Sequence, residues 1–302
     1  MTKLNIILRN RNVIFLLALA CGLFFPYASP YMKHLIIPAL ALAMTLSTME
    51  IGNEAFGRPR SLFFPALLGI VMNYIVLGNI IIGLSALLIR DEMLWTGFVL
   101  IAAVPPAIAV IPFSSILRGN TPLSMFGTVG AHLGALAIMP LISISLIGAA
   151  AFDPLKLLMI SLELIVLPLA LSRLLIRKGW KERIDPYRGT ITNWSFFLVL
   201  YTMIGLNSNL IFDRISSLLP IAAVCISVTF ILGFLIDWVC KRFHLPKETR
   251  TSIVLLGTLK NHGTAGGIAI TFFSQEAALP AAVSTIVMIA YVIWLDFKKK
   301  WD

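Results

Sequence analysis

The sequence predicts an all-α polytopic membrane protein with ten transmembrane helices in two inverted five-helix repeats, on three observations. Of the 302 residues, 59% are hydrophobic and only 13% are charged, about half the charged fraction of soluble domains. Apolar runs of about 20 residues, the length that crosses a bilayer, recur along the whole chain. Basic residues cluster in alternate linkers between these runs. This composition excludes a soluble globular enzyme and a disordered chain.

The ten predicted spans follow one another with short linkers, so we expect a single membrane transport domain over residues 1–302. The first five spans form one repeat, about 12–149, and the last five form the other, about 154–296. Because five is an odd number, the two repeats must insert with opposite orientation. The spans cover residues 12–27, 34–52, 62–89, 94–117, 121–149, 154–177, 189–209, 216–240, 248–273 and 277–296.

The distribution of lysine and arginine predicts the orientation. With the N-terminus inside, nineteen of the 24 basic residues fall in inner segments, and one, Lys260, falls within a span. Positive residues are retained on the cytoplasmic side, so both termini are predicted to be cytoplasmic and the protein to lie in the cell (inner) membrane. The net charge of +10 then reflects topology, and no nucleic-acid partner is expected. The outer loops hold Lys33, Arg90, Lys156 and Arg214.

The first apolar run also has a feature of a cleaved signal peptide, because Lys3, Arg9 and Arg11 precede it. Cleavage would leave nine spans, and an odd count removes the symmetry of two five-helix repeats. We therefore expect the first helix to be retained.

Spans 4 and 9 occupy equivalent positions in the two repeats, and both contain helix-breaking sequence. Span 4 contains Pro105 and Pro106, which remove two backbone donors in succession. Span 9 contains the polar, glycine-rich stretch 260–267, and glycine loosens a helix. Paired interruptions of this kind indicate a transport site near the midplane of the membrane. The alternative is two unrelated kinks, because proline and glycine are common in membrane helices.

At these two spans the chain resembles the bile acid:sodium symporter family, and the resemblance runs along the whole chain. Three stretches carry it: LRGNTPLS (117–124), GTLKNHG (257–263) and EAALPAA (276–282). They favour this family over the related auxin-efflux and arsenite-exporter families. The resemblance implies a core domain around crossed, broken helices 4 and 9, and a panel domain of helices 1, 2, 6 and 7. It also implies a cavity between the two domains for an organic anion.

The sodium sites of that family carry over poorly to this chain. The family's Ser-Asn pair in span 4 corresponds to Val110 and Ile111. Its Glu-x-x-x-Gln-Asn pattern in span 9 has Leu256 in place of the acid and Lys260 in place of the glutamine. Hard cations need several oxygen ligands, so the resemblance implies transport that does not depend on sodium.

Other positions of the family's sites stay polar. Asn73 in span 3 stands where the family has a glutamine, and Ser124 and Thr128 keep the hydroxyl groups of span 5. Asn261 stands where the family places an asparagine that faces the substrate. In span 7, Thr192 with Asn193 would also face the cavity.

Four ionisable residues lie within predicted spans: His132, Glu163, Lys260 and His262. A charge at the bilayer centre costs about 2.5–3.5 kcal/mol on insertion scales, so each is a functional candidate. Lys260 lies at a helix break; its alternative role is a structural ion pair, with Glu163 as the candidate partner. For Glu163 both roles stay open. His132 belongs to the small-residue stretch 127–134, which suits close helix packing, so we expect a hydrogen-bonded structural histidine there.

We therefore predict a secondary transporter that moves a small organic anion by alternating access, without sodium, with Lys260 in place of the ion. Lys260 either remains a fixed charge or exchanges a proton in each cycle. The partners expected are the anion and the lipid bilayer, with no cofactor and no metal; the oligomeric state stays open. The predicted substrate-binding residues are Asn261, Lys260, His262, Pro105, Pro106 and Thr128. The predicted ion-coupling residues are Lys260, Glu163, Asn73, Ser124 and Thr128.

Three other functions are weighed against this one. A sodium- or proton-coupled anion symporter of the same family is the nearest alternative. A membrane-embedded enzyme is disfavoured, because the chain contains neither His-Glu-x-x-His nor Gly-x-Ser-x-Gly. A sensor is disfavoured because no soluble output domain is present in the sequence.

Overall fold

The computed structural model describes residues 10–49, 59–148, 159, 162–213 and 215–301, and this part of the chain is helical, with no β-strand. Five basic residues that entered the orientation argument, Lys3, Arg9, Arg58, Lys156 and Arg214, lie outside it. The helices are α1 (Arg11–Phe24), α2 (Ser29–Met32), α3 (Ile36–Thr48), α4 (Pro59–Ile70), α5 (Asn79–Leu88), α6 (Glu92–Ala103), α7 (Val110–Ile116), α8 (Thr121–Ile147), α9 (Leu167–Arg177), α10 (Lys181–Leu206), α11 (Ser208–Asp213), α12 (Ile215–Ile226), α13 (Leu232–Arg242), α14 (Lys247–Leu256), α15 (His262–Phe272) and α16 (Gln275–Trp301).

In the part of the chain that the structure describes, three π-helical segments lie beside these α-helices. Val71–Gly78 joins α4 to α5, Leu162–Val166 precedes α9, and Ser227–Ile231 joins α12 to α13. Such segments let a long helix continue while the direction of its side chains shifts.

Within the described ranges, five helices are long and apolar enough to cross a membrane, so the chain is a multi-pass membrane protein. They coincide with predicted spans 3, 5, 7, 8 and 10. A sixth candidate is the pair Val13–Phe24 and Pro26–Thr48, which bends by 82° where predicted spans 1 and 2 adjoin. The ten-span count and the inverted repeat stay predictions. The five helices are Leu62–Leu88, Thr121–Ile147, Lys181–Leu206, Leu218–Arg242 and Gln275–Lys298.

The helices pack in two groups. In the first group, α10 packs along α1 and α3, and α3 packs along α9; these helices correspond to predicted spans 1, 2, 6 and 7. In the second group, α8 packs against α4 and α6, and α16 packs against α6 and α15. The two groups meet where α10 contacts α15 and α16.

Small residues bring α4 and α8 into close contact, as the sequence predicts for the stretch 127–134. A Cβ atom added to Gly69 would lie 2.1 Å from the Gly127 carbonyl oxygen, and one added to Gly130 would lie 2.3 Å from the Ala66 Cβ. Backbones that approach this closely gain van der Waals contact, which is the main attraction between helices in a membrane. This contact fixes α8 beside the interrupted span 4.

Both predicted interruptions are present. Span 4 is helical as α6 and α7, with an irregular linker over 104–109 between them. Span 9 is helical as α14 and α15, with a linker over 257–261. These two linkers position the site described next.

Candidate functional site

The linkers of spans 4 and 9 run antiparallel and pair through their backbones. The Ala107 amide donates to the Leu259 carbonyl at 3.1 Å, and the Asn261 amide donates to the Pro105 carbonyl at 3.0 Å. Pro106 lies opposite Lys260 in this short bridge. The structure therefore brings Pro105, Pro106 and Lys260 together, although more than 150 residues separate them in the chain.

The sequence explains why both helices stop here. A residue before proline is driven out of the helical region, and Val104 is extended at φ −69° and ψ 155°. On the other side, the Asn261 side chain accepts a hydrogen bond from the Thr264 amide at 3.2 Å and so caps the N-terminus of α15. Asparagine is among the preferred residues at this capping position. Asn261 therefore has a structural role in addition to the substrate role predicted from the sequence, which did not include the cap.

The Lys260 side chain extends toward the end of α6 and is buried, with 1% of its surface exposed. Its ammonium donates to Asn73 Oδ1 at 2.7 Å, to the Ala102 carbonyl at 2.8 Å and to the Val104 carbonyl at 2.9 Å. The Tyr74 ring centroid lies 4.6 Å from the same nitrogen. A lysine ammonium has three N–H donors, so these three oxygens satisfy it completely.

The end of α6 supplies two of these oxygens. The last carbonyls of an α-helix have no partner within the helix and carry partial negative charge. Because the prolines end α6 at Ala103, the carbonyls of Ala102 and Val104 are left for another donor. The Lys260 ammonium is the donor to both carbonyls. The neutral oxygens surround it as they would surround a small cation.

Glu163, the candidate ion-pair partner of Lys260, lies elsewhere. It belongs to the π-helical segment Leu162–Val166 and its side chain is exposed. All three hydrogen bonds of Lys260 go to neutral oxygens. The alternative of a structural Lys260–Glu163 pair is therefore wrong for this conformation, because the two side chains lie in different environments.

A cavity of about 390 Å³ lies between the two groups of helices. Thr192 and Asn193 of α10 line it, as the sequence predicts. Ile108 and Ala109, in the linker of span 4, form part of the opposite wall. The volume falls in the range of pockets that bind small molecules, about 300–1,000 Å³.

Two small side pockets adjoin this cavity. The first, about 40 Å³, shares Ile108 and Phe196 with the main cavity and reaches Lys260, Asn261 and His262. Both ring nitrogens of His262 are buried without a hydrogen-bond partner. The main cavity is therefore lined at one side by residues next to the crossing of the two linkers.

The second side pocket, about 20 Å³, shares Ile108 and Ile111 with the main cavity and contains Thr128 and His132. His132 Nδ1 lies 2.7 Å from the Thr128 carbonyl, which matches the hydrogen-bonded histidine expected. Thr128 Oγ1 and Ser124 Oγ are buried without a partner. Thr128 thus lines a different pocket from Lys260 and Asn261.

Buried apolar side chains occupy most of the positions that correspond to the family's sodium ligands in spans 4 and 9. Val110, Ile111 and Leu256 are all buried, and Ile111 lines the pocket that holds Thr128. A Cβ on Gly127 would lie 2.8 Å from a Leu256 methyl group, so this leucine packs against α8. Among the described residues, no three His, Cys, Asp or Glu side chains form a metal-binding group.

Two arginines of the main cavity were missed as site residues. Arg11 and Arg188 both line it, together with Asp296. The Arg11 guanidinium stacks 3.9 Å from the Phe113 ring centroid. Burial lowers the pKa of Arg11 to about 10, and Asp296 partly opposes this shift, so Arg11 is charged at neutral pH. From the sequence, both arginines were used only to predict the orientation of the chain in the membrane. Their position at the ends of spans 1 and 7 could have indicated that they line the cavity.

Two known proteins are similar to this chain. The uncharacterized protein YbaS of Bacillus subtilis is 24% identical over 202 residues, which is 65% of this chain and 65% of YbaS. The probable sodium/metabolite cotransporter BASS3, chloroplastic, of Oryza sativa subsp. japonica is 26% identical over 270 residues, which is 87% of this chain and 63% of BASS3. The chain thus covers less than two thirds of the length of either relative.

The sequence model of a transporter family matches residues 41–294, which include both interrupted spans. This match confirms the resemblance to the bile acid:sodium symporter type. The description of this family is that of transporters. Because the match covers more than half of the chain, the protein belongs to the SBF-like CPA transporter family.

Proposed function

We propose that the protein is a sodium-independent secondary transporter of a small organic anion, in which the Lys260 ammonium replaces the driving cation. The substrate binds in the cavity between the two groups of helices and reaches the crossing of the linkers. Transport proceeds by alternating access, as the two groups move relative to each other.

The bonding of Lys260 carries this proposal. Three neutral oxygens surround its ammonium at 2.7 to 2.9 Å. A hard cation such as Na⁺ takes the same kind of ligand, carbonyl and amide oxygens. With Lys260 in the linker, a positive charge is supplied by the chain itself and is present in every conformation. A transporter built in this way has no need to bind sodium before it binds its substrate.

Two features of the cavity support an anionic substrate. The Arg11 guanidinium lines it, together with Arg188 and Asp296. Arg188 Nε lies 3.5 Å from Asp185 Oδ1, so Arg188 is already paired with a carboxylate. The N-terminus of α15 begins beside the side pocket with Asn261 and His262, and helix N-termini attract anions. Phe15, Phe113 and Phe196 provide apolar walls for the remainder of the molecule.

A thermal-shift screen of the purified protein against carboxylates, with and without Na⁺, tests the binding step. A ligand raises the apparent stability by an amount set by its concentration relative to its Kd. We expect the same stabilisation in Na⁺ and in choline buffers. A carboxylate that stabilises the protein only when Na⁺ is present would refute sodium independence.

The carboxylate found in this way is then used for flux into proteoliposomes. We expect wild-type uptake to ignore a sodium gradient, and K260Q to reduce uptake without creating sodium dependence. K241Q, which removes an exposed lysine at the end of α13, is the control and should transport as the wild type does. Accumulation driven by an inward proton gradient would assign proton exchange to the cycle instead of a fixed charge.

Sodium symport is the second candidate, because the name of the rice relative describes it as a probable sodium/metabolite cotransporter. That candidate predicts uptake that rises steeply with external Na⁺ in the wild type. The same flux measurement therefore separates the two functions.

A further inference from the structure

A separate pocket of about 90 Å³ lies between α13, α14 and α16. It shares only Leu117 with the lining of the main cavity. Tyr291 and Gly233 both line it, and the Tyr291 hydroxyl oxygen would lie 2.1 Å from a Cβ on Gly233. The absence of a side chain at Gly233 thus lets Tyr291 pack directly against α13.

The rim of this pocket carries more positive than negative charge. Lys247, Arg250 and Lys298 line it, with Asp237 as the carboxylate. Arg250 Nε lies 3.3 Å from Asp237 Oδ1, so these two residues neutralise each other. Among the described residues, Lys247 and Lys298 have no carboxylate partner; the Lys298 ammonium lies 5.3 Å from the Trp294 ring centroid. Two positive charges are therefore available to a ligand.

The pocket borders an exposed face of α13. Phe234 lines it and has 60% of its surface exposed. Trp238, one turn further along the same helix, is 58% exposed. In a membrane protein, exposed aromatic residues near a charged helix end lie at the interface between the hydrocarbon and the headgroups. A molecule in this pocket can therefore have a charged part on the lysines and an apolar part against the aromatic rings.

We propose that this pocket binds an anionic phospholipid, with its phosphate between Lys247 and Lys298 and its acyl chains along Phe234 and Trp238. Lysine is a common phosphate ligand, and basic pockets between membrane helices bind anionic headgroups. The site is independent of the transport cavity, so it does not rest on the proposed function.

Native mass spectrometry of the protein with phosphatidylglycerol or phosphatidylcholine tests the site. We expect phosphatidylglycerol to be retained in preference to phosphatidylcholine. K247Q/K298Q should weaken its retention by roughly 25-fold, since each basic residue near a membrane surface contributes about a fivefold change in affinity. K241Q/R242Q, at the end of α13 outside the pocket, removes the same charge and should keep the wild-type preference. All four side chains are at least partly exposed, and a single peak in size-exclusion chromatography confirms that each variant is folded.

Three results would overturn this proposal. Equal retention of the two lipids would show that the pocket does not recognise a net negative headgroup. An equal loss in the two double variants would show general surface attraction in place of a pocket. Loss of the retained phosphatidylglycerol when inorganic phosphate is added would assign the site to a soluble phosphate compound.

Discussion

At the scale of single residues, Lys260 links parts of the chain that are remote in sequence. Its neighbours in the chain, Asn261 in the linker and His262 at the start of α15, also lie at the crossing, as the sequence predicts. Its oxygen partners were only partly predictable. The family resemblance marks Asn73, but the carbonyls of Ala102 and Val104 become ligands only because α6 ends before Pro105.

Removal of the Lys260 ammonium should destabilise the protein. In K260M, Asn73 Oδ1 and the Ala102 and Val104 carbonyls lose their donor, and each buried acceptor left unsatisfied costs about 1–3 kcal/mol. K260Q keeps an amide donor and should lose less. We expect the melting temperature to fall in the order wild type, K260Q, K260M, measured by thermal unfolding in detergent. A K260M variant as stable as the wild type would show that these hydrogen bonds contribute nothing to stability.

Asn261 has a capping role that must be separated from its proposed substrate role. N261A loses the cap of α15 and should be destabilised by about 1 kcal/mol. N261S keeps a side-chain oxygen for the Thr264 amide, so it should recover most of that stability. If Asn261 also contacts the substrate, N261S remains deficient in the carboxylate-induced thermal shift. Full recovery of both stability and ligand binding in N261S would show that Asn261 only caps α15 and does not contact the substrate.

At the scale of helices, the sequence located the interruptions well and the helix ends less well. Pro105 and Pro106 act locally, by removing donors, so their effect can be read from the chain. The start of α10 at Lys181, eight residues before the predicted span, could not be read from hydropathy, because its first two turns are polar. The 82° bend between α1 and α3 begins at Pro26, so it has a local signal in the chain. The π-helical segments Val71–Gly78, Leu162–Val166 and Ser227–Ile231 contain no proline and could not be read from the chain in this way.

The close contact of α4 and α8 predicts a strong effect of one glycine. In G130V the new side chain meets Ala66, since even a Cβ would lie 2.3 Å from the Ala66 Cβ. The helices must separate, and we expect a clear fall in melting temperature. G83A is the control, because no atom lies within 4 Å of its new Cβ, and it should melt as the wild type does. Equal melting temperatures for G130V and the wild type would show that this contact is not tight.

At the scale of the whole molecule, the predicted topology indicates on which side of the membrane the cavity lies. The cavity is lined by Arg11, Arg188 and Asp296, which lie at the ends of spans 1, 7 and 10 that the positive-inside rule assigns to the cytoplasm. Arg90 is exposed in the connection between the end of α5 and the start of α6, and the same scheme assigns this connection to the outer side. This scheme therefore predicts that Arg11, Arg188 and Asp296 line the cytoplasmic end of the cavity.

Thiol labelling tests this orientation, and its first comparison needs no substrate. In a background with Cys21, Cys225 and Cys240 replaced by alanine, T192C places a thiol in the cavity and R90C places one in the outer loop. A membrane-impermeant maleimide added to intact cells should label R90C. It should label T192C only after the cytoplasmic side is opened, for example in inverted vesicles, because the cavity then faces the reagent. A transported carboxylate should slow T192C labelling and leave R90C unchanged. Labelling of both thiols from the outside of intact cells would contradict the predicted topology.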